Sequence, residues 1–157
     1  MSVTIRPFRM ADFETLWRID QACFPPDQAY SRLELSLYMK RRGAFTLVAE
    51  TDIPTAIAGF IVAEGNSRGQ GHVVTIDVLE GARRGGIGSE LLRAAERRLG
   101  EDACRNVSLE TAVDNEAALL FYKRHGYFVE KTIPLYYNGT LDALLMRKDL
   151  LPSTHAK

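Results

Sequence analysis

The stretch ARRGGIGSELL, residues 82–92, is where residue types and spacing point most directly to chemistry. Three glycines and two arginines occupy positions 83–88, and an apolar pattern with helical spacing follows at once. The first N–H groups of a helix have no intrahelical partner, and the helix dipole makes that end partially positive. Glycine lets a ligand approach such a backbone closely. We therefore expect this turn to bind a phosphate.

Two nucleotide-binding motifs do not fit the same stretch. A Walker loop needs Lys and then Ser or Thr after its last glycine, whereas Ile87 follows GARRGG here. The dinucleotide-binding fingerprint needs a third glycine, whereas Gly86-Ile87-Gly88 leads into Ser-Glu-Leu. The turn can also be an ordinary strand-to-helix connection with arginines on its surface. The rest of the chain has to decide between these two interpretations.

A second set of polar residues lies on a predicted helix farther along the chain. Asn115 and Tyr122 are seven residues apart, so on one helix their side chains point the same way at a spacing of about 10 Å. The opposite side, which we expect to face the core, carries Ala117, Leu120 and Phe121. The alternative is that Asn115 only caps the helix and that Tyr122 is a boundary tyrosine with a solvated hydroxyl.

The elements that must position these groups follow from hydrophobic periodicity and from turn residues. The predicted order is βααβββαβαββ, an α/β fold. In the second helix, Leu33, Leu37 and Tyr38 are expected to share one face. The predicted strands cover 2–8, 45–50, 57–64, 72–79, 106–111, 127–133 and 141–148, and the predicted helices run from 13 to before Pro25 and over 31–39, 88–99 and 115–124.

Composition limits the kinds of protein that remain. The 157 residues are 46% hydrophobic, enough for one core without disulfides or a metal. We expect one domain over residues 1–150 and a flexible tail at 151–157. Twenty basic residues balance twenty acidic ones, so no nucleic-acid partner is expected. Cys23 and Cys104 stand far apart and the three histidines are scattered, so no disulfide framework and no metal site is predicted.

The N-terminal segment bears on location. MSVTIRPFRMADFETLW carries charges throughout and lacks a hydrophobic signal core. No apolar run in the chain approaches membrane length. We therefore predict a cytoplasmic protein without a membrane partner, and the sequence leaves its oligomeric state open.

The glycine turn and the element order together resemble the GNAT acetyltransferases. Residues 83–88 match that family's Arg/Gln-x-x-Gly-x-Gly/Ala motif, which also lies between its fourth strand and third helix, and the order agrees over residues 3–148. The resemblance implies a mixed, mostly antiparallel twisted sheet with about four helices, whose fourth and fifth strands separate to admit acetyl-CoA. The coenzyme contacts that it implies are Arg83, Arg84, Gly85, Gly86, Ile87, Gly88 and Ser89 at the pyrophosphate, and the backbone of Ile76, Asp77 and Val78 at the acetyl and pantetheine arm.

The run from Leu109 to Tyr122 is similar to the RimI type of ribosomal-protein N-terminal acetyltransferase, in which a carboxylate, an amide and a phenol have this spacing. The resemblance implies that Glu110 is the base toward the substrate amine, that Asn115 contacts the coenzyme and that Tyr122 protonates the departing thiolate. Both proton transfers are chemically sensible, because an amine attacks a thioester only when neutral and sulfur leaves more easily with a proton.

Two further stretches resemble the acceptor-binding loops of N-terminal acetyltransferases. These are Phe24 and Pro25 between the first two helices, and Tyr136 and Tyr137 before the last hairpin turn. Each also has a purely structural explanation. Phe-Pro after a helix is often a packed helix stop, and paired tyrosines on a strand alternate between core and solvent.

The ordinary pKa values of amines favour one kind of acceptor. With pKa values near 7.8 for an α-amine and 10.4 for lysine, the neutral fractions at pH 7 are roughly a tenth and a few parts in ten thousand, a difference of about 3.5 kcal/mol. A single carboxylate is therefore an adequate base for an α-amine. We predict an acetyl-CoA-dependent N-acetyltransferase acting on a protein or peptide N-terminus, ribosomal proteins among the candidates. Two alternatives stay open: a small-amine acetyltransferase for a polyamine or aminoglycoside, and a non-catalytic acyl-CoA-binding module.

Overall fold

The computed structural model describes residues 2–150. The tail that we predict at 151–157 lies outside the described residues. The order of elements is βααβββαβαββ, which confirms the predicted fold class. The elements are β1 (Val3–Pro7), α1 (Phe13–Cys23), α2 (Arg32–Lys40), β2 (Ala44–Asp52), β3 (Thr55–Gly65), β4 (Gln70–Val78), α3 (Ile87–Glu101), β5 (Asn106–Ala112), α4 (Glu116–Arg124), β6 (Phe128–Tyr137) and β7 (Leu141–Asp149).

The seven strands form one sheet in the order β1-β2-β3-β4-β5-β7-β6. Every neighbouring pair is antiparallel except β4 and β5, which run parallel. The β4–β5 pairing covers only Gln70–His72 against Asn106–Ser108. Beyond these residues the two strands separate, so the sheet has the gap that the resemblance implied at this point.

Two apolar clusters hold helices on the sheet. In the first, α1 and α2 pack on the middle strands, and in the second α3 packs on the sheet together with Tyr122 of α4. Each helix contributes side chains at helical spacing, and this burial is the main source of folding stability. Buried members of the first cluster are Leu16, Ile19, Leu35, Val48, Phe60 and Val62, and those of the second include Ile61, Leu91, Leu92, Ala95, Leu99, Val107 and Met146.

Two helices turn a different face to the core than periodicity indicated. In α2, Leu33 and Leu37 are 69% and 57% exposed, whereas Leu35 is fully buried. In α4, Leu120 is 55% exposed, whereas Tyr122 is buried. In α4 the predicted core-facing side was wrong for Ala117 and Leu120, whereas Phe121 packs against the core as predicted. In α2 the face expected for Leu33 and Leu37 lies toward solvent. The reason is that each short helix carries apolar residues on more than one side, and only packing against the sheet selects the buried one.

Strand β6 is longer than predicted and forms an edge of the sheet. It continues through Pro134, which an edge strand tolerates because one row of its N–H groups faces solvent. Its register against β7 shifts between Ile133 and Tyr137, and Leu135 has a positive φ of 52°. Consequently Tyr136 and Tyr137 lie at the end of a strand, and not in a loop that precedes the hairpin turn.

Candidate active site

The glycine turn lies where the sequence placed it, between the end of β4 and the start of α3. A short 3-10 turn, Glu80–Ala82, precedes it, and Gly86 is the N-cap of the 15-residue helix α3. Gly86 has a φ of 82°, and Arg84 has a φ of 71°, a conformation that costs a non-glycine residue about 1 kcal/mol or more. Backbone strain of this kind concentrates at ligand-binding turns, which supports an anion-binding role.

Each of the three glycines of the turn is explained by a different physical reason. Gly86 needs its positive φ. A Cβ added to Gly88 would lie 3.3 Å from Cζ of Phe121, so Gly88 permits the close approach of α3 and α4. At Gly85 an added Cβ would meet only the Ala82 carbonyl oxygen, at an ordinary 3.6 Å. Neither φ nor packing accounts for Gly85, whereas the approach of a ligand to its backbone would.

The side chains beside the turn already have partners. Arg83 Nε donates to the Val78 carbonyl at 2.9 Å, and Ser89 Oγ lies 2.9 Å from Nε2 of His125. Ile87 is buried in the core, so only its backbone can meet a ligand. Contacts of these residues with the coenzyme stay a prediction. The backbone of the turn is better placed than their side chains to make such contacts.

Strand β4 forms one wall of the gap. The Val78 carbonyl accepts from Arg83 and lies 3.4 Å from Cys23 Sγ, and the Val74 carbonyl lies 3.5 Å from the Tyr30 hydroxyl. Both carbonyls therefore point away from β3. Since backbone groups alternate along a strand, those of Ile76 also face the gap, where an extended ligand arm can pair with them.

Asp77 lies on the same part of β4, but its side chain is buried toward α1. Its side chain is 1% exposed and accepts from Thr75 Oγ1 at 2.5 Å, and Asp20 of α1 is fully buried beside it. Asp20 Oδ1 and Asp77 Oδ2 are buried, and neither has a hydrogen-bond partner within residues 2–150. Burial, and then the Asp20 carboxyl, raise the pKa of Asp77 well above its ordinary value. The protonated form of the Asp77 carboxyl is therefore favoured at this buried position beside Asp20.

Glu110 meets a residue that sequence reasoning missed. His72 Nε2 lies 2.8 Å from Glu110 Oε1, and His72 Nδ1 lies 3.5 Å from Glu64 Oε2. Burial lowers the pKa of His72, but the two carboxylates outweigh it, so the pKa is raised overall. The three side chains form a chain of proton-accepting groups at the mouth of the gap. Register brings them together, since His72 pairs with Ser108 on β5 and with Glu64 on β3.

The tyrosines on β6 lie at the same place. The Tyr136 hydroxyl is 3.5 Å from Glu110 Oε1, and the Tyr136 and Tyr137 rings are 4.9 Å apart in an edge-to-face arrangement. Burial and the Glu110 charge raise the pKa of Tyr136 to about 12. The structure thus places Tyr136, which is predicted to contact the acceptor substrate, beside Glu110, the predicted base.

Tyr122 and Asn115, the two polar residues predicted on α4, have different surroundings in the structure. Tyr122 is 7% exposed, and burial raises its pKa, with Asp77 and Tyr137 adding to the shift, so its hydroxyl keeps its proton. Asn115 precedes α4 and caps it, with Oδ1 accepting from Ala118 N at 3.1 Å. The capping alternative therefore holds for Asn115, and a contact of its amide with the coenzyme stays a prediction.

The loop after α1 is anchored near the same end of β4. Cys23, the last residue of α1, contacts the Val78 carbonyl, and Phe24 follows as the half-buried C-cap. The Pro25 carbonyl accepts from the backbone of Gln28 and Ala29, each at 2.9 Å, which folds the loop into a turn. An acceptor role for Phe24 and Pro25 stays a prediction.

Two kinds of feature are absent from the described part of the chain. Within residues 2–150, no three His, Cys, Asp or Glu side chains are grouped so that they would hold a metal ion. Over the same residues, no helix combines the length and the apolar character needed to cross a membrane.

A sheet that opens beside a glycine turn at a helix N-terminus, with a carboxylate at the opening, is the arrangement that the resemblance to the GNAT acetyltransferases implied. The chain belongs to the acetyltransferase (GNAT) family, whose model matches residues 13–127. It is an acetyl-CoA-dependent acyltransferase, which confirms the family resemblance in the sequence.

Relatives of known name match nearly the whole chain. An N-alpha-acetyltransferase of Sulfurisphaera tokodaii is 32% identical over 158 residues, covering 93% of this chain and 92% of the relative. A crystal structure of Ard1 from Thermoplasma volcanium has a TM-score of 0.85 at 28% identity, covering 96% of this chain and 99% of that one. The ribosomal-protein-S18-alanine N-acetyltransferase of Escherichia coli also reaches 0.85, but at 18% identity over 99% of both chains, a likeness of fold alone.

Proposed function

We propose that this enzyme acetylates the N-terminal α-amine of a protein or peptide in the cytoplasm. The observation that carries the proposal is the Glu110–His72 hydrogen bond of 2.8 Å at the point where β4 and β5 separate. Two features support it further. The relative from Sulfurisphaera tokodaii is named an N-alpha-acetyltransferase, and the two cysteines, Cys23 and Cys104, are free, as is usual in a reducing compartment.

The turn at residues 84–88 is suited to hold the diphosphate of acetyl-CoA, which supplies the acetyl group as a thioester. Gly85 and Gly86 leave its backbone open, and the N-terminus of α3 favours negative charge there. The backbone of Ile76 and Val78 lines the gap into which the acyl arm would extend. The residues present therefore fit the coenzyme.

The acid–base groups divide the proton transfers between them. Glu110 takes the proton of the substrate ammonium, and the neutral nitrogen then attacks the thioester carbonyl. His72 is hydrogen-bonded to Glu110 Oε1 and lies 3.5 Å from Glu64, so the proton has a route through the imidazole from one carboxylate to the other. Tyr122 is buried with a raised pKa and therefore still holds the proton that the departing sulfur takes up.

The charges beside the base do not favour a polyamine. Glu64 and Glu130 lie near it, but Arg41 pairs with Glu64 at 3.3 Å and Arg147 pairs with Glu130 at 3.0 Å. A polycationic acceptor would need unpaired carboxylates. The shared presence of Glu110, His72 and Tyr122 argues equally against a non-catalytic acyl-CoA-binding module. Activity of the RimI type on a ribosomal protein is the narrowest form of the proposal.

The test is acetylation of defined acceptors by the purified enzyme with acetyl-CoA, read by mass spectrometry. Each peptide is supplied with a free N-terminus and, as matched control, with a blocked N-terminus and one internal lysine. We expect acetyl transfer only to the free α-amine, and a loss of specific acetylated N-termini in cells that lack the gene. Transfer to polyamines or aminoglycosides alone would replace the proposal by the small-amine alternative. Tight acetyl-CoA binding without any transfer would replace it by the binding module.

A further inference from the structure

A polar groove of about 720 Å³ leads away from the candidate base. It opens beside the C-terminal end of α2 and crosses the part of the sheet where β4 and β5 still pair. Its volume lies within the usual range for ligand-binding clefts. Its lining includes His72 at one end and the arginines that follow α2 at the other, together with Glu64, Ser108, Glu130 and Arg147.

The inner end of this groove lies beside the candidate base. His72 lies between two carboxylates, 2.8 Å from Glu110 and 3.5 Å from Glu64. Arg41 also pairs with Glu64, at 3.3 Å, so Glu110, with His72 as its partner, is the carboxylate left to attract a substrate ammonium. An ammonium group is therefore favoured at this end, which agrees with the place of the substrate amine in the proposed reaction.

The outer end of the groove carries a positive charge. Arg41 is balanced by Glu64 at 3.3 Å, and Arg147 is balanced by Glu130 at 3.0 Å. Arg42 also lines the groove and is exposed, and it forms no ion pair with any residue between Ser2 and Leu150. The outer end therefore carries one cation in excess, and the groove as a whole is complementary to a ligand with an amine at one end and a carboxylate at the other.

The length of the groove sets the distance between these two charges. On β5 it is lined by Asn106 and Ser108, and Glu110 lies two residues beyond Ser108, so the candidate base and Asn106 are four residues and about 13 Å apart. An extended peptide advances by about 3.3 Å per residue, so four residues of an acceptor chain span the same distance. A side chain at the third to fifth position of the acceptor then lies at the outer end.

We propose that the groove binds the segment after the acceptor's N-terminus, and that Arg42 selects peptides with Asp or Glu at positions three to five. This rests on the proposed function, because it assumes that the amine lies at Glu110. The first side chain of the acceptor faces Tyr136 and the loop of Phe24, and its main chain leaves along the groove. Acidic N-terminal segments are thus the substrate class, and peptides with lysine at these positions are disfavoured.

The test compares peptides that differ at one position. Glu, Gln or Lys is placed in turn at positions two to seven of one sequence, and kcat/KM is measured at low and at high salt. We expect Glu to exceed Gln by about threefold to tenfold at positions three to five, with the difference mainly in KM and smaller at high salt. The Arg42→Glu variant should lose or reverse this preference. Arg97→Glu, the same charge change on exposed α3, should keep it.

Binding of the same peptides to the coenzyme A complex, measured by calorimetry, separates this inference from the proposed function. If no peptide is acetylated but acidic peptides bind more tightly and Arg42→Glu abolishes the difference, the groove stands and the proposed function fails. If peptides are acetylated at equal rates whatever the residue at positions three to five, the groove inference is overturned and the proposed function stands. Retention of the acidic preference by Arg42→Glu also overturns the inference.

Discussion

Replacement of Glu110 by glutamine tests the proposed base most directly. The amide has nearly the same size as the carboxylate and can still hydrogen-bond to His72, which lies 2.8 Å away. The change therefore removes the capacity to take a proton and leaves the packing intact. A positioned general base contributes roughly 10²- to 10⁴-fold, so we expect kcat/KM at pH 7 to fall by that factor, or about 2.7 to 5.4 kcal/mol.

The pH dependence of this loss distinguishes a base from a structural carboxylate. An α-amine with a pKa near 7.8 is roughly a tenth neutral at pH 7 and almost fully neutral at pH 9. Free neutral amine needs no base, so the deficit of Glu110→Gln should shrink up to about tenfold between these pH values. A carboxylate that only positions His72 would produce a deficit that does not change with the ionisation of the substrate.

The assay follows release of the coenzyme A thiol with one peptide over pH 6.5 to 9. Glu101→Gln, an exposed glutamate at the end of α3, is the matched control and should behave as the wild type. Thermal unfolding establishes that each variant is folded. Activity of Glu110→Gln within threefold of the wild type at pH 7, or a deficit that stays constant with pH, would refute the assignment.

Three further changes test other parts of the site. Tyr122→Phe removes the proton for the leaving sulfur, so kcat should fall roughly 10²-fold or more with unchanged acetyl-CoA affinity in calorimetry; a wild-type kcat contradicts this. Gly86→Ala, at a φ of 82°, should lower the melting temperature through about 1 kcal/mol of strain and should weaken acetyl-CoA binding. The control is Gly100→Ala, in open space within α3, which should raise stability by about 0.5 to 1 kcal/mol. Equal effects of the two substitutions on stability would exclude the strain argument. The raised pKa of Asp77 means that the folded chain keeps a proton which the unfolded chain releases above about pH 4, so wild-type stability should fall as the pH rises through the folded pKa. Asp77→Asn should remove that fall in urea unfolding at pH 5 and pH 8, and parallel pH dependences would contradict it.

The sequence by itself was sufficient for those features that depend on consecutive residues. The glycine turn is one, because Gly86 at a helix N-terminus needs only local backbone geometry to expose its neighbours' N–H groups. The order of elements is another, because periodicity is a local property of each segment. Glu110 and Tyr122 were predicted from a local run too, because their resemblance to the RimI type lies within one strand and the helix that follows it, and their roles stay a prediction.

Only the tertiary structure decided which distant residues meet. His72 and Glu110 are 38 positions apart, and their contact depends on the pairing and register of β4 and β5. A slip of one residue in that register would send either side chain to the other face of the sheet, and no local pattern excludes it. The buried side of α4 and the approach of Gly88 to Phe121 were decided likewise. Such contacts arise from packing between segments far apart in the chain, and the residues of one segment do not encode them.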